Sequence, residues 1–226
     1  MKGRKLIGIG IIIIGLGIFS YPIIRQAYSA HRQKDLKIAF QEILETNQKV
    51  SNPSETIAPS IAPSDSVSAE TDTSYIDLEE ADEVPDTQNA DNIKDRLRGQ
   101  TVIGLIEIEK LDLIYAIVEG TSDHNLGVAI GHMTSTVNLG EVGNCALAGH
   151  RGGTSGPYFK NIDKLVAGDE IKVTDVYGKE TIYKVTESFL VEATEMWVAD
   201  NNTDQKMLTL ITCEDDIRLI VRAISE

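Results

Sequence analysis

Two short segments of the chain combine the residue types that acyl transfer through a thiol requires. The first covers residues 144–151 (NCALAGHR) and contains Cys145 and His150; the second covers 209–213 (TLITC) and is followed five positions later by Arg218. A thiol attacks a carbonyl only after losing its proton, and a nearby imidazole can accept that proton. An arginine offers a permanent charge and a planar fork of donors for the oxyanion that develops. Together these residues form a minimum acyl-transfer set, although each type alone is more often structural.

Strand periodicity distinguishes the two cysteines. Both segments have the pattern of strands that end in a reactive side chain, and successive side chains of a strand point to opposite faces. Cys145 and His150 are five positions apart, so they lie on opposite faces. We therefore expect Cys145 to be buried in the core and Cys213 to be the nucleophile. A disulfide between them is not expected, because it would consume the only candidate nucleophile.

The region 99–226 is predicted to be mainly β. Turn signals rich in Gly and Asp separate segments enriched in Ile, Val and Leu, and only short helical pieces fit between them, notably 158–165. So many short strands in one domain indicate a closed barrel or a sandwich. The predicted strands are 101–109, 113–118, 144–150, 170–176, 181–191, 207–213 and 218–224.

The N-terminal segment 1–50 is predicted to be a membrane anchor with a short helical stalk. Three basic residues precede an uncharged stretch of 19 residues from Leu6 to Ile24, which as a helix extends about 29 Å and matches a bilayer core. A cleaved signal peptide is the alternative, but its apolar part is usually shorter. Basic residues flank both ends, so charge alone does not decide the orientation. Residues 35–50 have partly helical spacing and form the predicted stalk.

The segment 51–98 is predicted to be a disordered linker. It is rich in Ser, Thr, Pro, Asp and Glu, and cannot bury enough apolar surface to offset the entropy of ordering. Repulsion among its acids favours an extended spacer. A regulatory lid over the active site is the alternative interpretation.

Composition excludes several classes of function. The net charge is −14, whereas nucleic-acid binding requires a basic surface. The chain has two cysteines and four histidines without the paired spacing of a zinc site. We therefore expect neither a metal nor a cofactor, and no nucleic-acid partner.

The two reactive segments resemble those of the sortases, the cysteine transpeptidases of Gram-positive bacteria. TLITC is similar to the family's TLxTC signature around the nucleophile, and AGHR ending at Arg151 is similar to its histidine segment. Arg218 opens a final strand with the family's arginine pattern, and Arg222 is a second candidate for that role. The resemblance extends over roughly 99–226, including 104–108 and 158–171.

The resemblance implies an eight-stranded sortase-type barrel with short helices. It also implies cleavage of a C-terminal LPxTG-type sorting motif through a thioester on Cys213, with His150 as general acid/base and Arg218 as stabiliser of the oxyanion or substrate. Thr212 and the backbone N–H of Glu214 are predicted to contact the substrate. The expected partners are surface proteins with a sorting signal, an amine of the peptidoglycan precursor or of a pilin, and membrane lipid. The catalytic domain is expected to be extracellular, on a single-pass membrane protein.

Subclass and rival functions remain open at this stage. Pilin-polymerising class C sortases often carry a lid with an Asp-Pro-aromatic anchor, which residues 51–98 lack. A class D-like or housekeeping type is therefore favoured, with a pilin polymerase as the alternative. A cysteine hydrolase that uses water as acceptor and a non-catalytic, membrane-tethered binding module are the rivals from other classes.

Overall fold

The computed structural model describes residues 2–51, 93–152, 158–214 and 216–225. Eight strands close into a barrel in the order β1-β2-β3-β4-β7-β8-β6-β5, and β5 pairs with β1 to complete it. The strands are β1 Val102–Ile108, β2 Leu113–Glu119, β3 Ile130–His132, β4 Gly143–Ala148, β5 Glu170–Asp175, β6 Glu180–Glu192, β7 Lys206–Glu214 and β8 Ile217–Ser225. The predicted eight-stranded barrel is confirmed.

Short helices connect these strands. They are α2 over 93–97, α3 Asp123–Leu126, and the 3₁₀ helices η1 Glu109–Leu111, η2 Ile162–Lys164 and η3 Met196–Ala199. The predicted helix over 158–165 is reduced to η2 and the turn before it. The sequence prediction missed β3, because three residues are too few to show an alternating pattern.

The barrel interior is filled by alternate residues of the strands. In β1, buried and half-buried residues alternate along the whole strand, as expected for a strand with one face on the core. β4 differs, since its first five residues are all buried. Its inner side chains Cys145 and Leu147 pack in the barrel core, while Ala146 packs in a second cluster outside the barrel. Because both faces of β4 are packed against other apolar side chains, the strand is mostly apolar and does not alternate between apolar and polar residues.

A long helix, α1 (Lys2–Ser51), packs on the outside of the barrel. Leu36 and Phe40 lie one turn apart and are buried against β1 and β2 in a separate apolar cluster. Burial of each of these side chains stabilises the packing by about 1.5–3 kcal/mol. Arg32, only 2% exposed, donates to Arg96 O at 2.6 Å and Gln100 Oε1 at 2.9 Å, which ties α1 to the residues that precede β1.

The predicted membrane anchoring is corrected. Within the described residues, no helix is both long enough and apolar enough to cross a bilayer. A span needs about 20 consecutive, mostly apolar residues, whereas charged residues recur along α1 from Arg25 onward. The prediction of a single-pass membrane span is therefore wrong, whereas the extracellular location of the catalytic domain stays a prediction. The predicted linker falls mainly on 52–92, which lie outside the described residues.

Candidate active site

Parallel pairing of β4 and β7 brings the candidate histidine and cysteine to the same edge of the barrel. The two strands are in register up to the pair Ala148↔Ile211, and the backbone N–H of Gly149 continues the ladder by donating to Ile211 O at 3.1 Å. His150 lies two residues beyond Ala148, and Cys213 lies two residues beyond Ile211. Because parallel strands advance in step, both reactive residues lie at neighbouring strand ends.

Side-chain alternation places Cys213 on the outer side of the barrel. Within β7, Leu210 packs in the barrel core, whereas Ile211 packs in the cluster outside it. Cys213 shares the face of Ile211 and is exposed, while His150 is half-buried. The predicted nucleophile is therefore accessible from solvent beside the histidine-bearing end of β4.

Cys145 is a core residue, as the periodicity predicts. Its side chain is fully buried inside the barrel, and both cysteines are free thiols. Burial, together with the charges of Glu119 and Glu141, raises the pKa of the Cys145 thiol to about 12. The raised pKa and the lack of access both leave this thiol unreactive.

This difference predicts selective labelling of the two thiols. With a pKa of about 12, only about one Cys145 thiol in 10⁴ is ionised at pH 8. Iodoacetamide at pH 8 should therefore add one group to the native chain and two to the denatured chain, counted by mass spectrometry. The native Cys213→Ala variant should stay unlabelled. Equal labelling of both thiols in the native protein would contradict the assignment.

Arg218 lies directly across the β7–β8 hairpin from Cys213. The two residues are register partners in the antiparallel pair, so their side chains share the outer face. The Arg218 Nε donates to Ala193 O at 3.1 Å, which orients the guanidinium along the outer surface. Among the side chains that the structure describes, which do not include those of Glu214 and Asp215, its two Nη atoms have no hydrogen-bond or ion-pair partner. The guanidinium is thus held through its Nε, and its two Nη atoms lie outside this contact.

The structure also distinguishes the two candidate arginines. Arg222 pairs with Thr209, four residues before Cys213 along β7. Its guanidinium forms an ion pair with Glu187 at 3.3 Å and lies over the rings of Phe189 and Trp197. Arg218 is thus the arginine adjacent to the thiol.

The backbone that carries His150 is fixed from two sides. Thr212, 2% exposed, donates its hydroxyl proton to Gly149 O at 2.8 Å, which links the ends of β7 and β4. The N–H of Phe159 donates to His150 O at 2.8 Å. Gly149 has no room for a side chain, because a Cβ there would lie 2.8 Å from atoms of Ile130 and Phe159. These contacts hold the histidine-bearing turn against the barrel.

The Thr212 contact predicts a measurable loss of activity. Thr212→Val keeps the shape but leaves the buried Gly149 carbonyl without its donor, at a cost of about 1–3 kcal/mol. We expect kcat/KM for a peptide of the LPxTG type, which the sequence resemblance implies as substrate, to fall about tenfold, because the His150 turn loses its restraint. Tyr183→Phe is the matched control, since it removes the acceptor of the Gly140 N–H inside the barrel. Equal kcat/KM for the two variants would contradict the positioning role.

Two predicted substrate contacts remain predictions. The Thr212 hydroxyl has Gly149 O as its partner, so any direct contact with substrate requires a change of this bond. Glu214 pairs with Ile217 at the tip of the β7–β8 hairpin, immediately after Cys213. Its backbone N–H is therefore close to the thiol in sequence and in space. Asp215 lies outside the described residues.

A groove of about 270 Å³ extends from Arg218 over the outer faces of β4 and β7. One wall is η3, which Asn144 fastens to β4 by donating to Val198 O at 2.9 Å and Asp200 O at 3.2 Å. Sequence analysis missed the role of Asn144, although an amide within an apolar strand signals a buried partner. The groove is lined mostly by apolar side chains: Thr121, Leu126, Met133, Ala148, Glu195, Met196, Val198, Ala199, Ile211 and Arg218.

The barrel and its outer edge define a class of protein, a β-barrel carrying an accessible cysteine with a histidine and an arginine beside it. The family model described as "Sortase domain" matches residues 106–226. This match covers more than half of the chain, and the chain belongs to the sortase family.

Individual relatives agree with this family. Sortase A of Listeria monocytogenes is 36% identical over 115 residues, which cover 50% of this chain and 50% of the relative. The chain thus spans half the length of this curated relative. A Clostridium perfringens sortase D5 transpeptidase has a TM-score of 0.52 at 38% identity, covering 55% of this chain and 79% of that structure. Sortase C of C. perfringens, solved with the C-terminal cell wall sorting motif, has a TM-score of 0.51 at 30% identity, covering 55% and 70%.

Proposed function

We propose that this chain is a cysteine transpeptidase that cleaves a C-terminal sorting motif of the LPxTG type and transfers the acyl part to an amine. The observation that carries the proposal is the parallel β4–β7 register, with Cys213 exposed beside the end of the strand that leads to His150. The register partnership of Cys213 and Arg218 supplies a cation on the same face. Nucleophile, proton carrier and oxyanion donor are thus available at one edge.

Acylation proceeds by attack of the Cys213 thiolate on the Thr–Gly carbonyl of the motif. The C–N bond breaks, His150 gives a proton to the departing glycine amine, and a thioester remains on Cys213. In the second half, His150 accepts a proton from the incoming amine. That amine attacks the thioester, a new amide forms, and Cys213 is regenerated as leaving group.

Arg218 stabilises the oxyanion or holds the substrate carbonyl. Its Nε is held by Ala193 O, so the remaining guanidinium hydrogens keep a set direction and require little reorganisation during the reaction. The backbone N–H of Glu214 is a second donor in this proposal, and Thr212 contributes by holding the turn before His150.

The groove beside Arg218 suits a short extended peptide with apolar residues. Ile211 and Ala148 form its floor, and Met196 and Val198 form one wall. The sorting motif bound to the C. perfringens sortase C is in keeping with such a ligand. The 38% identity to a sortase D5 supports a class D-like type. In this proposal, which keeps the housekeeping type open, the acceptor is a cell-wall amine. A pilin lysine is the alternative acceptor.

Product analysis tests this function against its rivals. The full chain is incubated with Leu-Pro-x-Thr-Gly peptides, in which x is varied, with and without triglycine as amine. A transpeptidase yields a new amide product only when triglycine is present. Hydrolysis at an unchanged rate and without that amide would indicate a cysteine hydrolase. Absence of cleavage and of any adduct with a thiol-reactive sorting-peptide mimic would indicate a binding module.

A further inference from the structure

Trp197, the only tryptophan of the chain, lies on η3, the short helix that forms one wall of the groove. Its neighbours Met196 and Val198 both line the groove. The indole is 45% exposed and stacks on Phe189 of β6, with ring centroids 5.8 Å apart and planes 4° from parallel. The indole itself lines a neighbouring hollow with Glu195 and Ile217, and its stacking on Phe189 connects η3 to the outer face of β6.

The Arg222 guanidinium completes this contact. Its Cζ lies 5.1 Å from the centroid of the Trp197 ring and 5.3 Å from that of Phe189. Its Nη1 pairs with Glu187 at 3.3 Å, and the side chain is 19% exposed. Its Nε has no hydrogen-bond partner among the described residues. The two aromatic rings are therefore a principal part of the surroundings of this cation.

We infer that Arg222 is a positioning residue that holds the groove wall through Trp197 and so sets the affinity for substrate. The wall then has two anchors on opposite sides. Asn144 holds the backbone at Val198 and Asp200 from the β4 side, and the Arg222–Trp197–Phe189 contact, here called the aromatic clamp, holds η3 from the β6–β8 side. This inference rests on the proposed function, because it concerns the same groove.

The outer face of β8 separates two tasks. Arg218, Ile220 and Arg222 alternate with core residues along this strand, so all three face outward. Arg218 is opposite Cys213, Ile220 packs beneath the groove, and Arg222 reaches the aromatic clamp. Arg218 is therefore placed to act on the reacting carbonyl, whereas Arg222 acts only through the wall that contacts the rest of the peptide.

Kinetics of Arg222 variants test the inference. For Arg222→Gln we expect KM for the cleaved Leu-Pro-x-Thr-Gly peptide to rise about tenfold while kcat stays within about threefold, because uniform binding is lost and the chemical step is not. Arg222→Lys keeps a cation near the rings and should give an intermediate KM. Two variants of β6 serve as controls. Glu187→Gln removes the ion pair but leaves the Arg222 guanidinium over the rings. Lys184→Gln removes an exposed charge from the same strand as Glu187. Both controls should keep KM within about twofold.

Tryptophan fluorescence of the folded chain provides a measurement that a loss of stability alone does not change. Since Trp197 is the only tryptophan, its emission reports the clamp directly. In Arg222→Gln we expect a red-shifted emission and an acrylamide quenching constant raised about twofold, measured well below the unfolding temperature. Trp197→Ala should raise KM to a similar extent, and the double variant should show no further increase, since both changes remove the same contact.

The outcomes separate the inference from the proposed function. If the wild-type chain neither cleaves the peptides nor forms an adduct with the thiol-reactive mimic, the proposed function fails, and quenching in Arg222→Gln still tests the clamp. If the wild type is active but Arg222→Gln has an unchanged KM, or a KM increase fully additive with that of Trp197→Ala, the inference is overturned. If Arg222→Gln does not fold, Arg222→Lys and Trp197→Ala decide it by the same criteria.

Discussion

Replacing Cys213 with alanine is expected to abolish both cleavage of the sorting peptide and formation of the acyl-enzyme. Cys213 carries the only accessible thiol among the described residues, since Cys145 is fully buried. Without a covalent intermediate, kcat/KM should fall by a factor on the order of 10⁵. Chromatographic assay of the glycine-side product, with mass spectrometry of the intact chain, measures both losses.

Cys145→Ala is the matched control for this prediction. It makes the same chemical change in the barrel core, so it should lower stability through a small cavity and leave kcat/KM near the wild-type value. The melting temperature of each variant, recorded together with activity, separates these effects. Release of the glycine-side product by Cys213→Ala at a rate near wild type would show that another group is the nucleophile.

Replacing Arg218 with lysine is expected to lower kcat by about 10²–10³-fold, as the loss of a principal oxyanion donor does in other enzymes. Lysine keeps the charge but replaces the planar fork by a single ammonium group. It cannot hold Ala193 O with one nitrogen while presenting two others to the substrate. The measurement is kcat at saturating peptide, where binding losses no longer contribute.

Arg222→Lys makes the same substitution four residues further along β8, on the same face of the strand. For that variant we expect a change in KM with kcat nearly preserved, because the aromatic clamp acts through binding. The pair therefore distinguishes loss of the oxyanion donor from loss of an arginine on this surface. A kcat for Arg218→Lys within about threefold of the wild type would contradict the oxyanion role.

Part of the site follows from local sequence alone. Alternation within a strand depends only on the backbone, so the separation of Cys145 from the reactive face was predictable without a partner strand. The TLITC and AGHR segments also identified Cys213 and His150 as candidates. The register of β4 against β7 was not predictable, because it depends on which strands become neighbours in the closed barrel.

Other features could not be predicted from the periodicity of the sequence, for similar reasons. The three-residue strand β3 is too short to show the two-residue alternation of a strand. The helical spacing over 35–50 predicted a stalk, but whether its apolar residues meet a barrel surface depends on contacts with β1 and β2. The apolar N-terminal stretch predicted a membrane anchor, which the described helices do not support. Helix formation is local, but the surface that a helix buries against is not.

The choice between the two arginines shows most clearly which features depend on local sequence and which depend on tertiary structure. The sequence by itself determined that Arg218 and Arg222 lie on one face of a strand, that Cys213 lies near the end of another strand, and that His150 closely follows a third. Only the tertiary structure decided that Arg218 lies opposite the thiol and that Arg222 lies over Trp197, which is 25 residues earlier in the chain. Periodicity is a property of one strand, whereas the contacts that assign each side chain its task arise only when the strands pair and the barrel closes.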